Sequence, residues 1–295
     1  MGKPTIGFIG LGLMGAAMAN RLLDQGYALT ITANRSRVNI DKAVSRGAAE
    51  VGTAREVAEA SDIVMLCMDT SASVEARMRG ADGVIAGLRK DAVVIDFGTS
   101  LPGSTRTLGA EAAAVGGHYL DAPLGRTPAH AKDGLLNIMA AGDKTVFDRV
   151  EPVLKDLGEN VFHLGALGAG HTIKLLNNFF GMTVANAMAE AFAMADVAGI
   201  ERKSVYDVMS AGPLHSGMMD FVKGYGVDGD ATQLEFAIKN AAKDVGYYST
   251  MAQNAGVDSI MAKGTLSALT QARDAGQGDD MVSQMVDFYA ARFKA

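Results

Sequence analysis

The strongest constraint on the fold is a change of hydrophobic pattern partway along the 295-residue chain. In about the first 165 residues, short apolar runs bounded by Gly, Asp or Asn alternate with segments of helical period, which predicts strands and helices in turn. The predicted strands are Thr5–Ile9, Ala28–Ala33, Ile63–Met68, Val93–Phe97, His118–Leu120, Leu135–Ala140 and Val161–Leu164. Such an alternation favours a mostly parallel sheet with helices on both faces.

After Gly170 the strand-like runs give way to apolar residues at helical spacing. The predicted helices are His171–Val197, Lys203–Met209, Leu234–Ala255, Ser259–Ala275 and Met281–Phe293. The first would be roughly 40 Å long at 1.5 Å per residue, more than a compact domain of this size needs, so we expect it to join two domains. We predict an α/β domain at residues 1–166 and an all-helical domain at 167–295. The small, apolar face of the joining helix predicts a homodimer or homotetramer.

Composition excludes several classes of function. The net charge is −6 without long blocks of one sign, so the chain lacks the basic surface of a protein that binds nucleic acid or anionic membranes. Neither a membrane-spanning run nor a secretion signal is evident, and the single cysteine excludes an internal disulfide. The five histidines do not show metal-ligand spacing, so we predict no metal site. We expect a cytoplasmic protein of small-molecule metabolism.

A glycine-rich hexapeptide directly follows the first predicted strand and opens a helix. Its glycines are suited to a tight turn, to close approach of a pyrophosphate and to close packing of the helix on the strand, while the helix N-terminus supplies N–H groups for an anion. This context favours a Rossmann-type dinucleotide site over a plain glycine turn. The predicted loop residues are Gly10, Leu11, Gly12, Leu13, Met14 and Gly15.

The end of the second predicted strand indicates which cofactor is bound. A carboxylate there would accept hydrogen bonds from a ribose 2′-hydroxyl, but the chain has Asn34, Arg35, Ser36 and Arg37. Arginine pairs bidentately with phosphate oxygens, so this segment predicts NADP(H), with NAD(H) as the alternative cofactor and a solvated turn as the alternative structure. Cys67 and Met68 end another predicted strand, and we add them to the cofactor set, with a buried inert thiol and core packing as alternatives.

Lys174 and Asn178 lie four residues apart near the start of the long predicted helix, and this spacing places their side chains on one face. Lys174 stands among Ile173, Leu175 and Leu176. Partial desolvation can lower the pKa of a lysine from about 10.4 toward about 7–8, where it serves as a general acid or base. Asn178 can orient a substrate hydroxyl or carbonyl group. Two ordinary solvent-facing side chains are the alternative.

Four motifs in this order resemble those of the β-hydroxyacid dehydrogenase family, over essentially the whole chain. They are Gly10–Gly15 continuing to Ala19, Asp96–Pro102, Gly168–Gly170 with Lys174 and Asn178, and Lys243–Gly246. The resemblance implies reversible hydride transfer between NADP(H) and a small aldehyde or hydroxy acid. It also implies that Lys174 is the catalytic acid or base, that Asn178 is an active-site polar residue and that Thr99 lies on the nicotinamide side. By the same resemblance, Lys243 lies near nicotinamide and substrate, and Phe236 forms a wall beside them.

One segment departs from the common family pattern Asp-x-Pro-Val-Ser-Gly-Gly. Here Gly125, Arg126 and Thr127 follow Asp121-Ala122-Pro123-Leu124, and a guanidinium suits a larger or doubly charged oxyanion. This form is similar to the loop of 3-sulfolactaldehyde reductases, which implies a sulfonate substrate. A semialdehyde such as succinic semialdehyde is the second possibility. The alternatives are a 3-hydroxyisobutyrate or tartronate semialdehyde type of dehydrogenase, an imine reductase and a non-catalytic NADP-binding module.

Overall fold

A computed structural model describes residues 2–33 and 36–294. The chain divides into two compact units, Met1–Lys174 (unit 1) and Leu175–Ala295 (unit 2). The predicted boundary between residues 166 and 167 stays a prediction. None of the helices in the described part of the chain combines the length and the apolar character of a membrane span.

Unit 1 is built on a six-stranded sheet in the strand order β3-β2-β1-β4-β5-β6. Its strands are β1 (Ile6–Ile9), β2 (Leu29–Thr32), β3 (Ala49–Val51), β4 (Ile63–Leu66), β5 (Val93–Asp96) and β6 (His118–Asp121). All five neighbouring pairs are parallel. The chain reverses its direction of progress across the sheet between β1 and β4, and the crevice at such a switch point is where open α/β sheets bind nucleotides.

The side chains of the central strands alternate between two apolar layers. Ile63 and Met65 of β4 pack in the layer on one face of the sheet, and Val64 and Leu66 pack in the layer on the other face. Successive residues of a strand point to opposite faces, so a strand buried on both faces is a continuous apolar run. This confirms the predicted sheet with both faces covered.

The remaining elements of unit 1 are helices and a small second sheet. The helices are α1 (Leu13–Asp24), α2 (Val38–Ser45), α3 (Ala54–Glu59), α4 (Ser71–Met78), α5 (Val84–Gly87), α6 (Pro102–Ala114), α7 (Pro128–Asp133) and α8 (Lys144–Leu157). The second sheet contains β7 (Leu124–Gly125), β8 (Leu136–Ala140) and β9 (Gly158–His163). β7 is antiparallel to β8, and β9 is parallel to it.

The long helix α9 (Ala169–Val197) begins in unit 1, and its later residues belong to unit 2. Its 29 residues correspond to about 44 Å, which confirms the predicted connecting helix. The further helices of unit 2 are α10 (Arg202–Ser210), α11 (Gly217–Gly226), α12 (Ile238–Asn254), α13 (Ile260–Ala272) and α14 (Met285–Lys294). Short 3-10 segments at Ala231–Gln233 and Val282–Gln284 and a π segment at Arg273–Gln277 complete the unit. Its core includes the fully buried Phe192, Val245, Leu269 and Met285.

The elements β3, β7, α11 and α12 differ from the sequence prediction. β3 was not predicted because it is short and exposed on two of its three residues, so it lacks an apolar signal. β7 was not predicted because it has only two residues. Helix α11 is absent from the predicted helices because it begins and ends with glycine, which is a poor helix former. Helix α12 begins at Ile238 rather than at the predicted Leu234.

Candidate active site

The glycine-rich loop connects the end of β1 to the start of α1. Gly10 has a positive φ of 100°, and a Cβ atom there would overlap the carbonyl oxygen of Cys67. A Cβ atom at Gly15 would overlap the carbonyl oxygen of Gly10, whereas one at Gly12 would meet open space. Gly10 therefore serves the turn, Gly15 serves the packing of α1 against the loop, and the space beside Gly12 remains accessible to a ligand.

The N-terminus of α1 has the features of an anion site. Gly12 is the N-cap, and among the described residues no side chain caps this end and no acidic residue occupies the first turn. The first N–H groups of a helix lack partners within the helix and carry a partial positive charge. The loop geometry therefore fits the pyrophosphate of a dinucleotide.

A cavity of about 300 Å³ opens beside this loop at the switch point of the sheet. It is lined by Ile9, Gly10, Leu11, Gly12, Thr32, Ala33, Ser36, Ile40, Cys67, Met68, Asp69, Ser73 and Arg77. Six residues predicted from the sequence meet here, namely Gly10, Leu11, Gly12, Ser36, Cys67 and Met68. Leu13, Met14 and Gly15 do not line the cavity, since they form the first turn of α1. Burial, followed by the nearby charge of Asp96, raises the pKa of the Cys67 thiol to about 12.

The segment after β2 is only partly described. The predicted phosphate ligands Asn34 and Arg35 lie outside the described residues. The Arg37 guanidinium donates to both carboxylate oxygens of Glu50, at 3.0 Å each, and to Asp41. These acceptors, Glu50 foremost, raise the pKa of Arg37. The sequence prediction did not include Glu50, because this residue reaches Arg37 only through the pairing of β2 with β3.

Thr99 lies in a turn that the buried Asp96 carboxylate organises. The carboxylate accepts hydrogen bonds from the Gly98 N–H at 2.8 Å and from the Ser100 hydroxyl at 2.9 Å. Thr99 is half-buried between these two residues. The turn therefore has a defined shape at the carboxyl end of β5, at the same edge of the sheet as the glycine-rich loop.

Lys174 projects from α9 toward the segment predicted to bind substrate. Its ammonium donates a hydrogen bond of 2.7 Å to the carbonyl oxygen of Leu124 in β7. Leu124 directly precedes Gly125 and Arg126. The structure therefore brings the predicted acid or base next to the predicted substrate loop, two features that are 50 residues apart in sequence.

Arg126 has a backbone φ of 75°, a left-handed conformation in which non-glycine residues are uncommon. Its Nη1 atom donates to the carbonyl oxygen of Leu135 at 2.6 Å and to the Glu159 carboxylate at 2.5 Å. The Thr127 hydroxyl lies 2.8 Å from Nδ1 of His130. Gly125 packs against Asn137, since a Cβ atom at Gly125 would lie 3.2 Å from the Asn137 Cβ atom.

A second cluster of predicted residues lies within unit 2. The Asn178 amide donates to the Asp244 carboxylate at 2.6 Å, and the Lys243 ammonium lies 2.9 Å from the other oxygen of the same carboxylate. Asp244 is buried, and Asn178 is only 7% exposed. Phe236 precedes α12 and packs, partly buried, against the unit 2 core. Asp244 joins these two predicted residues, and the sequence analysis gives it no role beyond its place in the motif Lys243–Gly246.

Buried polar groups behind the Lys174 segment were also missed. Asp121 at the end of β6, Asp96 at the end of β5 and His171 on α9 are all 0% exposed. Asp96 and His171 are 75 positions apart in the sequence. The three residues come together because β5 pairs with β6 and because α9 starts beside these strands. Within the described residues, the structure contains no group of three or more histidine, cysteine or carboxylate side chains arranged to hold a metal ion.

Comparison with known proteins agrees with this architecture. Residues 5–165 match the profile described as the NAD binding domain of 6-phosphogluconate dehydrogenase, and residues 168–289 match the one described as NAD-binding of NADP-dependent 3-hydroxyisobutyrate dehydrogenase. The 2-hydroxy-3-oxopropionate reductase of Escherichia coli is 35% identical over 70% of each chain. The 3-sulfolactaldehyde reductase of the same species is 30% identical over 93% of this chain and 92% of that protein.

A solved structure shows the same fold. A 3-hydroxyisobutyrate dehydrogenase of Salmonella typhimurium superimposes with a TM-score of 0.82 at 27% identity, over 97% of this chain and 100% of that one. These similarities confirm the family predicted from the motifs and the use of an NAD(P) cofactor. The chain therefore belongs to the β-hydroxyacid dehydrogenase family of NAD(P)-dependent oxidoreductases.

Proposed function

We propose that this protein catalyses reversible hydride transfer between NADP(H) and a small anionic aldehyde, with Lys174 as the general acid or base. The observation that carries the proposal is the hydrogen bond of 2.7 Å from the Lys174 ammonium to Leu124. It holds a proton donor beside a loop whose next residues are Gly125 and Arg126. A proton donor next to an anion-binding side chain is what the reduction of an anionic aldehyde requires.

Lys174 acts on the oxygen of the substrate carbonyl. A nicotinamide cofactor, when bound, would supply or accept the hydride. As the carbonyl carbon is reduced, negative charge develops on its oxygen, and a positioned ammonium both stabilises that charge and donates a proton to it. In the oxidising direction the neutral amine of Lys174 takes the proton from the hydroxyl group and becomes the ammonium.

Arg126 binds the remote anionic group of the substrate. Its Nη1 atom is engaged by Leu135 and Glu159, and a guanidinium has five N–H donors in all. Gly125, Thr127, Asn178 and Phe236 complete the proposed substrate set. Anchoring a remote anion orients the aldehyde for reaction.

The substrate we propose is 3-sulfolactaldehyde or a semialdehyde such as succinic semialdehyde. The arginine at position 126 supports a sulfonate, because a guanidinium fork suits a large oxyanion. The similarity to a 3-sulfolactaldehyde reductase over 93% of the chain supports the same choice. A 3-hydroxyisobutyrate or tartronate semialdehyde type of dehydrogenase is the second candidate, supported by the relatives of those activities.

The proposed cofactor ligands come from the glycine-rich loop, from the segments that follow β2, β4 and β5 in the chain, and from α12. They are Gly10, Leu11, Gly12, Leu13, Met14, Gly15, Asn34, Arg35, Ser36, Arg37, Cys67, Met68, Thr99 and Lys243. We propose NADP(H) as the preferred cofactor because two arginines follow β2. Because the Arg37 guanidinium already pairs with Glu50 and Asp41, Arg35 is the stronger candidate for a contact with the 2′-phosphate.

The test is a substrate and cofactor panel. Purified protein is assayed with NADPH and NADH against sulfolactaldehyde, succinic semialdehyde, glyoxylate and tartronate semialdehyde, together with the Lys174→Ala variant. We expect NADPH-dependent reduction of an anionic aldehyde and a loss of at least about 100-fold in kcat for Lys174→Ala. Wild-type turnover by Lys174→Ala would overturn the mechanism. Activity on cyclic imines alone would indicate an imine reductase, and NADPH binding without turnover would indicate a non-catalytic module.

A homodimer or homotetramer in the cytoplasm is also proposed. Phe180, Met194 and Val197 of α9 are each more than half exposed in the single chain, which supports a partner subunit on this helix. Analytical ultracentrifugation decides the state. A monomer at micromolar concentration would contradict it.

A further inference from the structure

Asp121 holds the start of the helix that carries Lys174. One oxygen of its carboxylate accepts a hydrogen bond of 2.8 Å from the Gly168 N–H, and the other accepts one of 2.7 Å from the His171 N–H. The side chain is fully buried at the carboxyl end of β6. A carboxylate at a helix N-terminus satisfies N–H groups that have no partner within the helix.

The main chain of Asp121 is fixed as firmly as its side chain. Its N–H donates to the Ala141 carbonyl oxygen at 3.2 Å, and its carbonyl oxygen accepts from the Ala141 N–H at 2.7 Å. The residue is also the register partner of Asp96 in the central sheet. Asp121 is thus hydrogen-bonded through both its main chain and its side chain.

Asp121 connects to both ends of the hydrogen bond between Lys174 and Leu124. Through its main chain, it stands three residues before Leu124, whose carbonyl oxygen is the acceptor. Through its carboxylate, it holds His171, which stands three residues before Lys174, the donor. Asp121 is therefore connected to the segments that carry both the donor and the acceptor of this hydrogen bond.

Close packing of the helix start on Asp121 is visible at two further contacts. A Cβ atom at Gly170 would overlap the Met139 carbonyl oxygen and lie 2.9 Å from the Asp121 carboxylate, so this place requires glycine. The His171 ring lies 3.8 Å from the same carboxylate, with its Nδ1 atom 2.8 Å from the Thr105 hydroxyl. Burial raises the pKa of Asp121, and the charge of His171 and the backbone hydrogen bonds oppose this effect.

We propose that Asp121 is a positioning residue for the reaction, which sets the place of Lys174 relative to the substrate loop by holding both the loop and the start of α9. The inference rests on the proposed role of Lys174 as the general acid or base. Asp121 touches neither substrate nor cofactor in this proposal and acts only through Lys174. Misplacement of a reacting group by about 1 Å can reduce the rate by about 100-fold.

The test is a double-mutant cycle of Asp121→Asn with Lys174→Ala. Asparagine keeps the shape of the side chain but replaces one of the two acceptors by an NH₂ group that faces an N–H. We expect Asp121→Asn to lower kcat by about 10- to 100-fold, to leave the Kd of NADPH within about twofold, and to raise the primary deuterium isotope effect measured with labelled NADPH. In the Lys174→Ala background, the same change should alter kcat by no more than about twofold, because residues acting through one another are non-additive.

The control is Asp62→Asn, an exposed carboxylate directly before β4, at the amino end of a strand rather than at the carboxyl end where Asp121 lies. Like Asp121, Asp62 accepts a hydrogen bond from a backbone N–H, that of Thr5 at 2.9 Å, and it also accepts one from the Thr5 hydroxyl at 2.9 Å. We expect this control to lower the melting temperature without changing kcat. If Asp121→Asn does not fold, Asp121→Ser, which retains a smaller acceptor, is measured in the same cycle.

The outcomes separate this inference from the proposed function. Equal losses of kcat from Asp121→Asn in both backgrounds, or no loss in the wild type, would overturn the positioning role while leaving Lys174 as the acid. Wild-type kcat in Lys174→Ala would instead overturn the proposed function. A loss confined to the wild-type background supports the inference.

Discussion

The Lys174 ammonium donates a hydrogen bond of 2.7 Å to the main-chain carbonyl oxygen of Leu124. This bond joins a helix side chain to a two-residue strand, and its acceptor is a carbonyl group that no substitution of the Leu124 side chain removes. Lys174 is therefore held at the edge of the loop that contains Arg126 by an interaction independent of the loop's side chains. Changes at Lys174 and at Arg126 should have separable effects on the reaction.

The first prediction concerns the proton of Lys174. Lys174→Arg retains the positive charge, but a guanidinium does not release its proton at any ordinary pH. We expect kcat to fall at least about 100-fold, nearly as far as in Lys174→Ala, while the Kd of NADPH measured by fluorescence titration changes by less than about twofold. Substantial turnover by Lys174→Arg would show that charge alone, without proton transfer, suffices.

The second prediction uses the left-handed backbone of Arg126. Arg126→Gly and Arg126→Ala both remove the guanidinium, so both should raise the KM of an anionic substrate while changing kcat much less. They should differ in stability, because at a φ of 75° glycine avoids a steric cost of roughly 1–2 kcal/mol that alanine bears. Chemical denaturation measures the difference. An unchanged KM in both variants would show that Arg126 does not bind the substrate.

The third prediction compares two helical glycines. At Gly170, the added methyl group of alanine would overlap the Met139 carbonyl oxygen, whereas at Gly264 in α13 it would meet no atom within 4 Å. We expect Gly170→Ala to lower the free energy of unfolding by more than about 2 kcal/mol, as overpacking does. Gly264→Ala should raise it by about 0.5–1 kcal/mol, because alanine is the better helix former. Similar stabilities of the two variants would contradict the close packing of Gly170 against the Met139 carbonyl oxygen.

The fourth prediction concerns the N-cap of α8. One oxygen of the Asp143 carboxylate accepts hydrogen bonds from the N–H groups of Thr145 and Val146 at 2.9 and 3.0 Å, and also from the Thr145 hydroxyl. The Thr145 hydroxyl, followed by the Val146 N–H, lowers the pKa of Asp143. A pKa that is lower in the folded state adds stability above the unfolded value of about 3.9, and this stability is lost as the pH falls through the folded value.

The matched variant for Asp143 is Asp143→Asn, because asparagine is an equally good but uncharged N-cap. The wild type should have the higher melting temperature at pH 7. This advantage should shrink steadily from about pH 5 downward. A difference in melting temperature that is constant from pH 7 to pH 3 would contradict the charge-dependent capping.

Much of the fold follows from local patterns. The continuous apolar run of β4 is buried on both faces, and α9 is one helix of 29 residues where the sequence predicts a long helix. The hexapeptide from Gly10 to Gly15 could also be identified along the chain, because it directly follows a predicted strand and opens a predicted helix. Patterns of this kind depend on neighbouring residues, so no tertiary information is needed to read them.

The details of the candidate site do not follow from local patterns. Glu50 and Glu159 form ion pairs with the two arginines that the sequence singled out, and neither carboxylate is near its partner in the chain. In the sequence, Asp121 is noted only as part of a family motif. Its partners Gly168 and His171 are about 50 residues away along the chain. Such partners are chosen by strand pairing and by where a helix starts, which spacing along a chain does not reveal.

The sequence alone therefore determined the Rossmann-type unit, the helical unit, the long helix between them and the residue types for dinucleotide chemistry. These depend on periodicity and on the special geometry of glycine, both of which are properties of short segments. Only the tertiary structure decided which carbonyl oxygen accepts the hydrogen bond from the Lys174 ammonium and which carboxylates form ion pairs with Arg37 and Arg126. It also decided which buried carboxylate accepts the N–H groups at the start of α9. Hydrogen bonds and ion pairs form between groups within about 3 Å of each other, and that proximity exists only once distant segments have packed together.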